Sequence, residues 1–319
     1  MQANPVIVKE LRGRMRGWRA MVILILYLLV LSLITWLTYA AVSGFESGLG
    51  GPESSQTGKF IFGVLVIFQT IMVSLLTPAF TAGSITSERE QKTYDLLMTT
   101  LLPARSVIFG KLGSALAFVV LLILAIAPLE SLAFMFGGVS PEEIILSQVV
   151  MLLAALMFAS VGIFWSSFLK SSLASNVLTY GTILFQMIGI PFFYFVITNI
   201  MGAYRYDPTG QSISQTEGYW YGSGVVLSFN PIIAMVISEG FYLQGQPLFV
   251  YTSTEILNGH TLFVISPWLL FCIEALLVSA LLIALSVRFV KPIRYKRKSI
   301  YEHNPEPDVA LPPGTEPTA

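Results

Sequence analysis

The chain has 319 residues, 55% of them hydrophobic and only 11% charged, with a mean hydropathy of +0.74. That composition excludes a soluble globular domain and reads as a polytopic membrane protein. Basic and acidic residues cancel at 18 each, so the net charge offers no argument for a nucleic-acid partner and none is expected; a single cysteine, Cys272, provides neither a disulfide framework nor a Cys-rich metal site.

Asn4 followed by Pro5 is a good helix start, with Asn capping and Pro at the first helical position. At about 100° per residue, Ile7, Leu11, Met15 and Trp18 share one face, while Lys9, Arg12, Arg16 and Arg19 share the opposite one. Residues 4–19 are therefore expected to form an amphipathic interface helix on membrane lipids at the inner leaflet. The same basic residues would also serve simply to set topology ahead of the first span.

Crossing a hydrocarbon core about 30 Å thick takes roughly 20 mostly apolar residues. Six runs qualify: 20–42, 60–83, 112–136, 143–168, 173–201 and 267–290. The first is longer than the roughly 7–15-residue core of a secretion signal and is followed by no cleavage site. With the N-terminus, the 84–111 segment, Lys170 and the C-terminal tail on one side, only Lys59 and Arg205 lie on the other. The positive-inside rule then makes both termini cytoplasmic and requires an even number of spans. The apolar run at 225–237 is too short to cross and would break that parity, so it is read as re-entrant or lying at the outer interface.

Between spans two and three, residues 84–105 read SITSEREQKTYDLLMTTLLPAR. Ser87 and Glu90 have the spacing of a capping box, Glu88 and Lys92 that of an i, i+4 ion pair, and Pro103 should end the helix. Tyr94, Leu97, Met98 and Leu101 give it an apolar side. Glu88, Glu90 and Asp95 are mixed among its bases and would be repelled by anionic headgroups, which favours a soluble protein partner over lipid. An ordinary solvated loop helix is the plainer alternative.

Within the spans, Pro78, Pro128 and Pro191 should kink spans two, three and five. Away from the ends of the apolar runs, the only acidic or basic side chains are Glu130 and Glu274, each about 10 Å below the outer surface at 1.5 Å per residue. They are read either as lining a path or as structural carboxyls of the bundle. Ala155, Ala159, Gly162 and Ser166 make a small-residue face on span four, suited to close helix approach within the chain or between copies. Asn176, Tyr180 and Gln186 in span five have the same two readings as the glutamates. The outer segment 202–266 is rich in Gly, Ser and aromatics, with Tyr219, Trp220 and Tyr221 favouring the interface; it is read as a small cap or gate, or as a loose loop. Arg294, Lys296, Arg297 and Lys298 should lie against anionic lipid, and the Pro-rich tail at 299–319 should be disordered.

The connector resembles the signature of type-2 ATP-binding-cassette (ABC) exporter permeases: Glu88-Arg89-Glu90, Thr93, Leu96-Leu97, Thr99-Thr100, Pro103 and Gly110-Lys111 stand where that family has its coupling helix and the start of span three. The opening NPVIVKELR resembles the family's interface helix, and six spans with internal termini agree. Pro103 comes later than the family's usual Thr-Pro, and the 202–266 segment is longer than its usual re-entrant hairpin. The resemblance implies an all-α permease domain over residues 1–298 in a cell membrane, of bacterial inner-membrane type. It implies coupling to a cytoplasmic ABC ATPase through Glu88, Arg89, Glu90, Thr93, Tyr94, Leu96, Leu97 and Met98, and a second permease copy or related chain to complete the path.

The residues agree in one respect. The chain has no G-x-x-x-x-G-K-[ST] loop, so ATP and Mg are expected on the partner and no cofactor on this chain. Its only histidines are His260 and His303, its aspartates lie outside the apolar runs, and H-E-x-x-H and G-x-S-x-G are absent, which argues against an enzyme. Two rival functions remain at this level. A non-transporting scaffold or signalling protein would tolerate loss of the polar residues within the spans. An ion-gradient-driven transporter would need inverted repeats and more embedded charge.

Overall fold

The computed structural model describes residues 10, 12–13, 17–49, 54–94, 103–203, 217–243, 247, 249–257 and 260–290. Six helices are long and apolar enough to cross a membrane. Span one is Trp18–Leu49, span two Ser54–Thr81, span four Pro141–Phe168 and span six Pro267–Phe289. Span three runs Ala104–Ala125 and Ala127–Met135. Span five runs Ser172–Leu184, a π-helical turn Phe185–Gly189, and Ile190–Ala203.

Every span except the sixth reaches beyond its apolar run at one end or both, because backbone hydrogen bonding continues into polar flanks that a hydropathy window rejects. Span three starts at Pro103 rather than near residue 112, so the expected connector helix 84–105 gives up its last residues to the span. The prolines act unequally. Pro128 sits where span three breaks at Ile126, and Pro191 follows directly on the π turn of span five, whereas the helix of span two continues past Pro78. Gly137 and Gly138, both at positive φ, make the tight turn into span four.

Span four is the hub: more than half of its most apolar window is buried, against about a tenth for spans one and five. Val150, Met157 and Phe158 of span four pack with Ile183 of span five, Ala234, and Trp268 and Phe271 of span six. The small-residue face acts within the chain. Ala155 and Ala159 are fully buried, and a Cβ on Gly162 would collide with the Thr81 hydroxyl, so only glycine lets spans two and four approach this closely.

The outer segment is built rather than loose over much of its length. The apolar run at 225–237 belongs to two short helices, Glu217–Ser228 and Pro231–Leu243, followed by an antiparallel pair, β1 (Val250–Leu257) and β2 (His260–Ile265). Neither helix is long enough to cross, as the parity argument required. Asn230 sets the bend between them. Its Oδ1 accepts the amides of Ile232 and Ile233 as an N-cap, and its Nδ2 donates 2.8 Å to the carbonyl of Met187. That carbonyl is the one Pro191 leaves without its helical donor. Met187 lies about 22 Å along span five from Ser172 at 1.5 Å per residue, so the bend packs against the middle of that span.

Candidate functional site

The polar groups of the cytoplasmic end converge on the short helix Thr86–Glu90. The expected capping box and i, i+4 pair do not form. Ile85 occupies the N-cap and no side chain caps the helix. Instead Ser166 of span four, fully buried, accepts the amides of both Ile85 (2.8 Å) and Thr86 (3.2 Å). Tertiary partners have replaced the local ones because the helix end is buried, where an unmade bond would cost about 1–3 kcal/mol.

The helix is also shorter than Pro103 alone would make it. It stops at Glu90, and Lys92 takes a left-handed conformation (φ 57°). The amide of Thr93 bonds the Glu88 carbonyl and that of Lys92 the Arg89 carbonyl, which is a Schellman C-cap with Lys in the place usually held by glycine. Helical backbone resumes at Tyr94.

Three consecutive charged residues fasten this helix to three different spans. Glu88 binds Lys111 of span three at 2.7 Å, and Lys111, only 3% exposed, also binds Glu10 of the N-terminal segment at 3.1 Å. Arg89 donates from Nη1 to the carbonyl of Leu169, which caps the end of span four, at 2.7 Å, and its guanidinium lies 5.0 Å from the Tyr94 ring centroid. Glu90 accepts the amide (2.7 Å) and hydroxyl (2.8 Å) of Ser172, the first residue of span five. It does for span five what a capping side chain does, from outside the helix. The two bonds from Ser172 hold the exposed Glu90 carboxyl below its usual range, the backbone amide contributing most. Beneath the helix, Ile85 is buried with Ile108 and Leu112 of span three, Ala159 and Ile163 of span four, and Val290.

Of the residues expected to couple, Glu88, Arg89, Glu90 and Tyr94 therefore meet at one place, with Thr93 exposed beside them. Leu96, Leu97 and Met98 lie outside the described residues, as do Ile7, Lys9, Leu11, Met15 and Arg16 of the interface helix and the 299–319 tail. Arg12 and Trp18 are exposed, and the side chain of Arg19 is likewise outside the described part. Sequence reasoning did not find Ser166, Ser172 or the Lys111–Glu10 pair. Glu10 and Lys111 stand 101 residues apart, and no spacing rule links them.

The groups expected along a path are placed separately. Glu130, 3% exposed, accepts a bond from Gln148 of span four. Glu274 accepts the hydroxyl of Ser228, the last residue of the short helix Glu217–Ser228, at 3.1 Å. Gln186 donates to the Phe229 carbonyl at 2.8 Å and Tyr180 to the Leu75 carbonyl of span two at 3.1 Å, whereas Asn176 is exposed on span five. Gln186 and Tyr180 thus tie elements of the bundle together.

Against known protein families, residues 5–298 match the family of ABC-2 family transporter proteins, and the chain belongs to that family. It is a multi-pass membrane permease. No curated protein matches it.

Proposed function

We propose that this ABC-2 family permease is the membrane half of an ATP-driven exporter, moved by a separate cytoplasmic ATPase that docks on the Thr86–Glu90 helix and the residues following it. The observation that carries the reading is the triple anchorage: Glu88 to span three, Arg89 to the end of span four and Glu90 to the start of span five. A helix held at one point would swing when pushed. Held at three, by bonds that each involve a charged group, it passes a displacement to three spans together.

The charges in this design face inward, leaving the exposed Gln91, Lys92 and Thr93 on the cytoplasmic surface. ATP and Mg belong to the docked subunit, and a second permease copy or a related chain completes the path, with the lipid-facing surfaces of spans one and five available to border it. Glu130 and Glu274 are candidates to line that path in its outer half.

The test is co-purification from native membranes followed by ATPase assay. A nucleotide-hydrolysing subunit should accompany the permease, and Glu90→Ala should lower the dependence of its turnover on the permease while leaving the complex folded. Isolation of the full chain from native membranes with no such subunit would overturn the reading.

A further inference from the structure

At the opposite end of the bundle lies a cavity of about 780 Å³, bounded by the first turns of spans two, four and six and by the short helix Pro231–Leu243. Its size and mainly apolar wall, including Phe60, Phe62 and Trp268, suit an organic ligand rather than an ion. Three charged residues line it: Lys59, Glu143 and Glu239, and Lys59 is the one cation among the described lining residues. Glu239 lies within electrostatic range of the other two.

Glu143 is the informative member. It is 4% exposed, and one carboxylate oxygen is committed locally: Oε2 accepts the Ser140 amide at 3.1 Å in the capping box that opens span four. The other, Oε1, is buried with no hydrogen-bond partner. Burial, with Glu143 adding to it and Lys59 opposing it, pushes the Glu239 carboxyl up to about 7, so two carboxyls against one ammonium are costly to hold ionised in this apolar wall unless a cation completes the arrangement. The aromatic rings add surfaces that attract cations.

From this arrangement we infer that the outer cavity is a binding site for an amphipathic monocation, an alkyl chain carrying an ammonium group, whose head meets Glu239 backed by Glu143 and whose chain lies on the aromatic wall. The site is a property of this chain alone; its use for cargo, as opposed to a resident amine lipid, rests on the exporter reading.

The experiment is photolabelling of the full chain in phosphatidylcholine nanodiscs with a dodecylammonium probe bearing a diazirine in its chain, against the alcohol and the carboxylate of equal length. The ammonium probe should label peptides containing residues 60–67 and 235–240 at least about fivefold more than either analogue, as one lost or gained charge interaction of about 1 kcal/mol in binding is worth. Glu143→Gln, which keeps an oxygen for the Ser140 amide, combined with Glu239→Gln should bring it down to the alcohol's level. Lys59→Gln, which leaves both carboxylates, should instead raise the preference, so the inference stays testable if the double variant does not fold. Equal labelling by all three probes, or a preference that survives in the double variant, would show an apolar gap filled by any lipid and end the inference. In native membrane vesicles, loss of label on adding ATP would mark the ligand as cargo and unchanged label a resident amine lipid; both uphold the site. Absence of an ATPase would sink the exporter reading without touching the nanodisc result.

Discussion

The two ends of this bundle handle charge in opposite ways. At the cytoplasmic end Lys111 is enclosed by Glu10 and Glu88, and Arg89 and Glu90 close onto the backbone termini of spans four and five. At the other end Glu143 keeps one buried oxygen without a donor beside a cavity, and a pair of short helices too short to cross takes the place of a span. The contrast teaches how one helical bundle can be tied together at one end and open at the other. Glu88 also keeps one buried oxygen without a partner, but its other oxygen meets Lys111; charges paired across several spans fix geometry, whereas a charge left beside a cavity is a standing invitation to a ligand.

Breaking the paired charges at the Lys111 end should cost most. Lys111→Met would leave two carboxylates facing each other with no counter-ion, a loss of about 3 kcal/mol or more. Melting of the detergent-solubilised protein should show it, and adding Glu88→Gln should recover part of the loss. If Lys111→Met melts like the parent, the triad is ornamental. Next in size, Ser166→Ala removes the acceptor of two buried amides and should cost about 2 kcal/mol, readable as faster hydrogen exchange at Ile85 and Thr86.

At the bend between the two short helices, Asn230→Ala removes an N-cap and uncovers the Met187 carbonyl. A loss of about 1–2 kcal/mol follows, smaller than at Lys111 because fewer charged groups are involved. Isothermal denaturation would compare the two directly.

Glu90 sharpens the comparison through pH. Its folded pKa is depressed, so its bond to Ser172 contributes above the ordinary carboxylate pKa and is lost as pH falls through the lowered folded value. The gap in melting temperature between parent and Glu90→Ala should therefore close on acidification; a constant gap would assign the effect to something other than the carboxylate. The smallest change is a gain: Lys92→Gly should relieve the left-handed residue of the Schellman cap and stabilise by roughly 1 kcal/mol.

How far the sequence carried differs by element. Six spans, and the shortness that denies 225–237 a crossing, were legible, since the length of apolar chain that matches the hydrocarbon thickness is a matter of composition alone. The bend at Asn230-Pro231 was legible too, by the same Asn-Pro rule that makes Asn4-Pro5 an expected helix start, although residues 4 and 5 lie outside the described part. The Ser140–Glu143 capping box was likewise present in the sequence as Ser-x-x-Glu. By contrast, the Ser87–Glu90 box looked equally good and does not form, because Glu90 finds two donors on Ser172, and the helix starts at Thr86, with Ser166 accepting the amides of Ile85 and Thr86, which leaves Ser87 inside the helix rather than at its cap.

By itself, then, the sequence determined that this chain is a multi-pass membrane protein with six helices, among the described residues, long and apolar enough to cross, for the solvation energy of apolar residues depends little on who their neighbours are. The tertiary structure alone decided that Glu10 and Glu88 share Lys111, that Glu90 caps span five, and that Glu143 is left unpaired beside a cavity. Each of those outcomes is a competition among partners 20 to 100 residues distant, won by whichever donor the packed helices bring within about 3 Å.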